Sequence, residues 1–204
     1  MKTSNYILIA LFSFIIGSIL VLFIAAIGHE NNPYGAESGS EKREYSLEDF
    51  SVIVTESNVF FHSSENNSLA FFLLPEDHEK VKNSFRVSND TLFIFPIAGI
   101  EHINLNVYGN RLSAVIAKNN SRVSINRFNS ETLSVDVQHA TFTLDNSDIR
   151  ELNVLGDKAN IRVYSNKVES LSAQLKNESS LDISRNANKV DIEKDETSRY
   201  SFYQ

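Results

Sequence analysis

Two consecutive stretches of equal length decide the fold: residues 133–151, LSVDVQHATFTLDNSDIRE, and residues 152–170, LNVLGDKANIRVYSNKVES. When the second is written beneath the first, Leu133 stands above Leu152, and each begins a run of alternating apolar and polar residues. The 19-residue spacing continues on both sides of this pair. One column reads Ala114, Leu133, Leu152, Leu171 and Val190, and the column two positions later reads Ile116, Val135, Val154, Ala173 and Ile192.

Each unit contains two strand-like runs and two polar corners, which in the first stretch are Gln138-His139 and Asn146-Ser147-Asp148. Such a unit cannot bury its own apolar face, but stacked copies can, because each strand then pairs with the equivalent strand about 4.8 Å away. The period predicts an all-β domain: a single-stranded parallel β-helix, or β-solenoid, with about 19 residues per coil, or rung. A β-sandwich is the alternative, but its strands would not agree column by column.

The repeats cover residues 114–192 and end in two irregularities. In the third full unit the apolar pair moves by one position, to Leu181 and Ile183, which predicts a small insertion or bulge. Residues 193–204 leave the period and finish in the aromatic run RYSFYQ. Because a solenoid end exposes unpaired backbone and an open core, we expect this tail to form a C-terminal cap.

The region before the repeats also has strand character, so the predicted β-helix domain covers residues 47–204. Short β-rich runs alternate there with turn-forming clusters, as in all-β domains. The segment from Glu76 to Lys80 is the one plausible helical turn. The predicted strand regions are Phe50 to Val54, Val59 to Phe61, Leu69 to Leu74, Phe85 to Val87 and Leu92 to Phe95.

An uncharged apolar segment, YILIALFSFIIGSILVLFIAAI, occupies positions 6–27. A helix of this length rises roughly 33 Å, which matches the hydrocarbon core of a bilayer. We expect one transmembrane helix, a signal anchor over residues 6–28, with residues 1–5 as a cytoplasmic stub. A cleaved signal peptide is the alternative, although its apolar region normally has only about 7 to 15 residues.

The segment 29–46 is polar and lacks an apolar period, which predicts a flexible linker. Lys2 is the only charged side chain before the apolar segment, so the positive-inside rule places the stub in the cytoplasm. We therefore expect a single-pass protein, bound to the lipid bilayer through residues 6–28, whose bulk is extracytoplasmic, either periplasmic or at the cell surface.

Composition excludes several classes of function. The formal net charge is −7, whereas a nucleic-acid-binding protein normally carries a basic patch that neutralises phosphates. The chain has no cysteine, which excludes disulfides, a thiolate nucleophile and zinc sites with sulfur ligands.

Three segments resemble the head GIN domain family, whose members are described as auto-transporter adhesins of Bacteroidetes-type bacteria. They are Phe50-Ser51-Val52-Ile53-Val54, Asn89-Asp90-Thr91-Leu92-Phe93-Ile94 and repeat units such as Leu133-Ser134-Val135-Asp136-Val137. The resemblance covers most of residues 47–204 and implies a parallel β-helix without a catalytic motif. The chain departs from the family in having few domain glycines, namely Gly99, Gly109 and Gly156.

No residue pattern points to a cofactor or metal. The five histidines lack the spacing of metal ligands and are interpreted as structural or surface residues: His29, His62, His78, His102 and His139. Asp145-Asn146-Ser147-Asp148 offers oxygen ligands for calcium, but it lacks the glycine of calcium loops and is typical of a corner. Residues 35–39, GAESG, do not have the spacing of a nucleophile elbow.

An enzyme that cleaves polysaccharides would need clustered carboxylates on one outer face. The outward candidates are Asp136, beside Leu155 and Gln174, and Arg162, beside Thr143 and Leu181. Neither column concentrates acids, so the sequence supports no carboxylate pair and no catalytic residue.

These observations favour a membrane-anchored extracytoplasmic β-helix of the bacterial cell envelope, a non-enzymatic, adhesin-like interaction module or a structural one. The expected partner is an envelope glycan or a protein, bound on a lateral sheet face. A glycan-active β-helix enzyme and a self-assembling envelope scaffold are the alternatives.

Overall fold

The computed structural model describes residues 40–100, 103–165, 167–184 and 186–203. The predicted stub 1–5, the predicted transmembrane segment 6–28 and most of the predicted linker lie outside these residues. Within the described part of the chain, no helix is both long and apolar enough to cross a bilayer.

Most described residues belong to short strands. A 3-10 turn (Pro75–Asp77) and a short helix, α1 (His78–Lys82), lie where the sequence predicts a helical turn. In chain order the strands are β1 (Glu41–Ser46), β2 (Val52–Thr55), β3 (Asn58–Ser63), β4 (Ser68–Leu73), β5 (Phe85–Ser88), β6 (Thr91–Ile94), β7 (Asn104–Gly109), β8 (Ala114–Lys118), β9 (Arg122–Asn126), β10 (Asn129–Gln138), β11 (Thr141–Asp145), β12 (Asp148–Asp157), β13 (Asn160–Tyr164), β14 (Lys167–Lys176), β15 (Ser180–Ser184), β16 (Ala187–Lys194) and β17 (Arg199–Tyr203).

These strands form two sheets that share one core. Sheet A has the order β1-β4-β7-β3-β9-β11-β13-β15-β17, and sheet B has the order β16-β14-β12-β10-β8-β2-β6-β5. From β8 onward, successive strands alternate between the sheets, and each pairs in parallel with its equivalent in the next rung. Leu133 lies beside Leu152, and Leu152 beside Leu171. The predicted all-β parallel solenoid with the period of the sequence repeat is confirmed.

The inward side chains form continuous columns through the stack. Phe142, Ile161 and Leu181 are fully buried on sheet A, and they belong to the same core as the column of Leu133, Leu152 and their equivalents on sheet B. Like residues are stacked at the strand spacing, so each rung covers the apolar face of its neighbour.

The first unit of the repeat differs from the sequence prediction by one position. Val115, and not Ile116, lies beside Val135, so this rung is one residue longer than the repeat. Val115 and Ala117 are therefore fully buried, whereas Ala114 and Ile116 face outward.

An extra corner residue causes this shift. Asn119 and Asn120 both have a positive φ, 55° and 63°, whereas only His139 does so at the equivalent corner of the next rung, with 53°. Asparagine tolerates this left-handed conformation better than most residues. A corner of two left-handed residues therefore holds one residue more than a corner with a single one.

The predicted insertion near Leu181 is confirmed and has the same cause. Leu181 lies beside Ile161, so this rung also exceeds the repeat by one residue. Asn177 and Glu178 both have a positive φ, whereas Lys158 alone does so one rung earlier.

Part of the predicted linker is a strand, so the flexible-linker prediction for 29–46 is wrong over the segment Glu41–Ser46. β1 pairs in antiparallel fashion with β4, at the edge of sheet A. Tyr45 fixes it to the core by stacking on Phe71 at 5.9 Å between ring centroids, and it contacts Phe85 at 5.4 Å. The charged residues at positions 41–44 therefore belong to an edge strand, where they discourage pairing with another chain. Residues 29–39 lie outside the described residues.

The C-terminal tail keeps the period, contrary to the sequence prediction for 193–204. Tyr200 lies beside Leu181, and Phe202 lies beside Ile183, so each is separated from its partner by the repeat length. Both aromatic side chains thus continue inward columns in β17, where each remains 45% exposed. Bulky rings at these positions cover more of the last rung than aliphatic side chains would.

The two ends of the described stack differ. At the C-terminal end, the sheets finish in the parallel strands β16 and β17. At the other end they finish in antiparallel pairs, β1 with β4 and β5 with β6. The first rung does not lie at that end, because β2 and β3 lie between the strands of later rungs: β2 pairs with β6 and β8, and β3 with β7 and β9.

Gly156 stands in an inward column at a point where the core is narrow. A Cβ atom there would lie 3.0 Å from Ile161 Cδ1 and 3.1 Å from Leu175 Cδ2. The neighbouring rungs carry Val137 and Leu175 in this column, so glycine provides the room that the larger side chains use.

Replacing Gly156 by valine should lower the free energy of unfolding by about 1–3 kcal/mol, because the added methyl groups overpack a filled core. Chemical denaturation measures this change. Ser172→Val, on the outer face of the same sheet, is the matched control and should change stability by no more than about 0.5 kcal/mol. Equal effects of the two variants would contradict the crowding.

Asp195 organises the corner between β16 and β17. Its carboxylate accepts hydrogen bonds from the backbone amides of Asn177 (2.7 Å), Ser198 (2.8 Å) and Thr197 (3.1 Å). The amide of Asn177 is the main cause that holds the pKa of Asp195 far below its ordinary value. The ionised carboxylate therefore joins two successive corners of the stack.

Asp195→Asn should destabilise the domain at pH 7, and the difference from the native chain should shrink on acidification. A carboxyl whose folded pKa is depressed contributes stability above its unfolded pKa, about 4, and loses it as pH falls towards the folded value. Denaturation at pH 7 and pH 3 measures both differences. Asp191→Asn, on the outer face of the same rung, is the control; a pH-independent effect of Asp195→Asn would contradict the assignment.

Candidate functional site

On the outer face of sheet A, the three strands β13, β15 and β17 carry polar, charged and aromatic side chains next to one another. Side chains alternate along each strand, so burial of Ile161 and Val163 directs their neighbours in β13 to the surface. The strands β15 and β17 do the same in register. The outward set is Asn160, Arg162, Tyr164, Ser180, Asp182, Ser184, Arg199, Ser201 and Tyr203.

Most of these side chains, together with the partly exposed Tyr200 of an inward column, line a groove of about 380 Å³, named here the Tyr203 groove. Its lining is Asn160, Arg162, Ser180, Asp182, Arg199, Tyr200, Ser201 and Tyr203. Its floor is a row across three adjacent strands, Arg162, Asp182 and Ser201. Ser201 Oγ donates a hydrogen bond of 2.7 Å to Asp182 Oδ1. This bond orients the carboxylate and leaves its second oxygen open.

Two tyrosines stand at one side of this row. Tyr164 and Tyr203 meet edge to face, with ring centroids 5.8 Å apart, and are 37% and 48% exposed. Desolvation raises the pKa of Tyr164, and the negative charge of Asp182 raises it further. Tyr164 therefore keeps its hydroxyl proton at neutral pH and remains a hydrogen-bond donor.

The two arginines of the groove have unused donors. Among the described residues, the side chains of Arg162 and Arg199 take part in no hydrogen bond and no ion pair within 4.0 Å. Each guanidinium is planar and can bind two oxygen atoms of one ligand at once. Two such groups beside the single carboxylate of Asp182 make the groove cationic within an acidic chain.

The surface has two other depressions. One lies along the corner that includes His139 and Lys158, and the other lies at the beginning of β10, β12 and β14. In the second, the charged groups are already paired, Arg150 with Glu131 at 2.6 Å and Lys167 with Glu169 at 2.7 Å. A ligand there would have to replace these contacts.

The histidines that the structure describes have structural surroundings. His78 is buried, accepts a hydrogen bond from Arg43 Nε at 3.1 Å and contacts the carbonyl of Leu73 at 3.0 Å. His62 stacks on Tyr108, and His139 forms a corner. His29 and His102 lie outside the described residues. Within the part of the chain that the structure describes, no group of His, Cys, Asp and Glu could hold a metal ion.

The possible calcium segment forms a corner. Asn146 has a positive φ of 47°. Ser147 is fully buried; its Oγ donates to the carbonyl of Asp145 at 2.7 Å and accepts from the amide of Phe128 at 3.1 Å. Burial raises the pKa of Asp145. The polar atoms of Asp145 and Ser147 therefore hold the chain in its turn.

Asp136 and Arg162, the two outward residues considered for catalysis, do not converge. Asp136 lies beside Leu155 on sheet B, as predicted, whereas Arg162 lies on sheet A. Arg162 has Asp182 beside it, and the prediction of Leu181 is wrong because of the extra corner residue.

Sequence reasoning missed most of the lining of the groove, including Asp182, Arg199 and Tyr203, and it missed Tyr164, which packs on Tyr203 beside the groove. One signal was present: Tyr203 follows Ser184 at the repeat length, in the outward column that also contains Tyr164. The prediction that the tail leaves the period removed Arg199 and Tyr203 from consideration.

Comparisons with known proteins show the fold. No protein-family profile matches the chain, and no curated protein matches it in sequence, so membership of the head GIN domain family stays a prediction. A solved structure named a putative adhesin, from Parabacteroides merdae ATCC 43184, has 10% identity and a TM-score of 0.49 over 83% of this chain and 98% of its own. Another putative adhesin, from Bacteroides fragilis NCTC 9343, superposes with a TM-score of 0.56 at 13% identity, over 82% of this chain and 98% of its own. The chain shares its parallel β-solenoid fold with this second protein.

Proposed function

We propose that this protein is a membrane-anchored extracytoplasmic module of the bacterial cell envelope, non-enzymatic and adhesin-like, which binds glycans in the Tyr203 groove. The observation that carries the proposal is the combination of exposed tyrosine rings with guanidinium groups that have no partner within the described residues. The solved structure named an adhesin supports the fold on which this groove is built.

The chemistry of the groove suits a sugar chain. The carbon-bound hydrogens of a sugar ring pack on an aromatic face, which Tyr203 supplies in the groove and Tyr164 supplies beside it. Vicinal sugar hydroxyls need a donor and an acceptor side by side, which Arg162 and Asp182 supply, and a sugar carboxylate needs donors, which the guanidinium groups supply. With two arginines against one carboxylate, the groove favours acidic sugars over neutral ones.

Binding is favoured over cleavage. Glycoside hydrolysis ordinarily uses two carboxyl groups on opposite sides of the scissile bond. The lining of the groove contains one, Asp182, which accepts a hydrogen bond from Ser201. The glycan-active enzyme is the second candidate, and the self-assembling scaffold is the third.

Anchoring rests on the sequence. Residues 6–28 contain no charged side chain and are long enough to span a bilayer. The few positive charges before them favour a cytoplasmic stub at residues 1–5. The described domain begins at the edge strand β1, a short distance along the chain from the proposed anchor.

Affinity electrophoresis in gels that contain polygalacturonate tests the groove. The native chain should be retarded, and Tyr203→Ala or Arg162→Ala should weaken binding about tenfold, as expected for removal of a central aromatic or arginine contact. Lys176→Ala, on the outer face of sheet B, is the control and should bind normally. Gels with neutral dextran should retard the native chain less.

Two results would contradict the proposal. Equal binding by the native chain and by both groove variants would remove the groove as the site. Release of reducing ends from the polysaccharide, abolished in Asp182→Asn, would favour the enzyme.

The absence of native cysteine allows a direct test of topology. A single Lys158→Cys at an exposed corner should react with a membrane-impermeant maleimide in whole cells or after the outer membrane is made permeable. Labelling in whole cells indicates the cell surface, and labelling only after the outer membrane is made permeable indicates the periplasm. Val123→Cys, which is fully buried, is the unreactive control. Labelling that requires lysis of the inner membrane would contradict an extracytoplasmic domain.

A further inference from the structure

The outer face of sheet B carries an apolar stripe near the antiparallel end of the solenoid. Across the five adjacent strands β5, β6, β2, β8 and β10, one outward column reads Arg86, Phe93, Val54, Ile116 and Asp136. Three apolar side chains, Phe93, Val54 and Ile116, thus lie in a row on a surface that ordinarily carries polar groups. This column is named here the sheet B stripe.

The stripe has the composition of a protein interface and not of an ordinary solvated sheet face. Phe93 and Phe95 stack with centroids 6.4 Å apart, and the guanidinium of Arg86 lies 5.4 and 5.5 Å from the two ring centroids. Aromatic residues and arginine are enriched at protein interfaces. Further along the same sheet the outward residues are mostly polar, as at Ser172 and Asp191, and Leu155, which is 49% exposed, stands alone between Asp136 and Gln174.

The order of residues makes the stripe complementary to itself. A two-fold axis parallel to the strands and passing over β2 reverses the order of the column. Val54 then faces its own copy, Phe93 faces Ile116 of the second copy, and Arg86 faces Asp136. Apolar residues meet in the centre, and opposite charges meet at both ends, as an isologous interface requires.

The neighbouring outward column obeys the same symmetry. It reads Ser88, Thr91, Val52, Ala114 and Ser134 across the same strands. The two-fold operation places Val52 on its own copy, Thr91 on Ala114, and Ser88 on Ser134. This column therefore brings no charge into the interface.

We infer that the sheet B stripe is the interface of a homodimer, in which the outer faces of sheet B from two copies pack against each other with Arg86 of each copy opposite Asp136 of the other. Packed sheets lie about 10 Å apart, a spacing that side chains of this size fill. Sheet A faces away from the interface, so both Tyr203 grooves stay open on opposite sides of the dimer, where each binds a separate polysaccharide chain.

A second copy explains Asp136 better than a lipid surface does. Asp136 accepts a hydrogen bond only from Gln138, at 2.9 Å, among the described residues. Embedding the stripe in lipid would bury this carboxylate without a cation, which is costly. A second copy supplies the guanidinium of Arg86.

Cross-linking of the full chain in cell membranes tests the inference. Because the native chain has no cysteine, Val54→Cys places a single thiol at the proposed symmetry axis. The packed sheets hold the two Cα atoms too far apart for a disulfide, so a short bis-maleimide is the reagent. Covalent dimers should form at this position and not with Ser172→Cys, the matched site on the same sheet outside the stripe.

Charge exchange then identifies the contacts. In the Val54→Cys background, Arg86→Glu or Asp136→Arg should reduce the yield of covalent dimer at least fivefold, and the double variant should restore it. Arg86 and Asp136 lie four strands apart in one chain, roughly 19 Å, so an intrachain contact cannot explain the rescue. Leu155→Ser removes an exposed apolar side chain of the same column beyond Asp136 and should leave the yield unchanged.

Three results would overturn the inference. The first is equal cross-linking at Val54→Cys and Ser172→Cys. The second is a double variant that has a native circular dichroism spectrum but does not restore the yield of covalent dimer. The third is a loss of yield with Leu155→Ser as large as the loss with the charge variants. If phospholipid vesicles protect the thiol of Val54→Cys from a maleimide while the protein stays monomeric, the stripe is assigned to a lipid surface.

Discussion

Parallel stacking in register is the constraint on which the rest of the structure depends. No rung can bury its own apolar side chains, so each inward residue has to match its equivalent one rung away in position and roughly in size. The buried column of Phe142, Ile161 and Leu181 shows this dependence, and Gly156 shows its limit, since a larger residue there has no space. Outward columns carry no such restriction, which leaves them available for binding surfaces.

The period and the alternation of the repeats were sufficient to predict the solenoid, because Leu133, Leu152 and Leu171 do lie side by side. Alternation could not give the register of the first repeat, since Ala114-Val115-Ile116-Ala117 is apolar on both faces. The outward pair of this run belongs to the two columns that form the apolar surface of sheet B. Because the outward residues of this run are as apolar as the inward ones, the alternation that marks the core is lost there. Such a break in a local rule is expected at a binding surface.

The groove on sheet A could be predicted only in part for a similar reason. Arg162 was recognised as outward, but its neighbours depend on how many left-handed residues each corner contains, and a single sequence does not reveal that number. Tyr200 and Phe202 replace aliphatic residues in inward columns, so the final rung did not resemble the others. The placement of β3 beside β9 was equally hidden, because the N-terminal strands carry no repeat.

The interleaved position of the first rung has a consequence for the order of folding. Val59 pairs with Val123, more than three rung lengths later in the chain, whereas the C-terminal rungs pair across a single rung length, as Leu152 does with Leu171. Loop-closure entropy rises with the logarithm of this separation, so the longer closure costs about 1 kcal/mol more. Nucleation is therefore favoured in the C-terminal rungs, and the part of the domain that leaves the ribosome first is completed late, by closing onto a sheet edge that its own later sequence has already built.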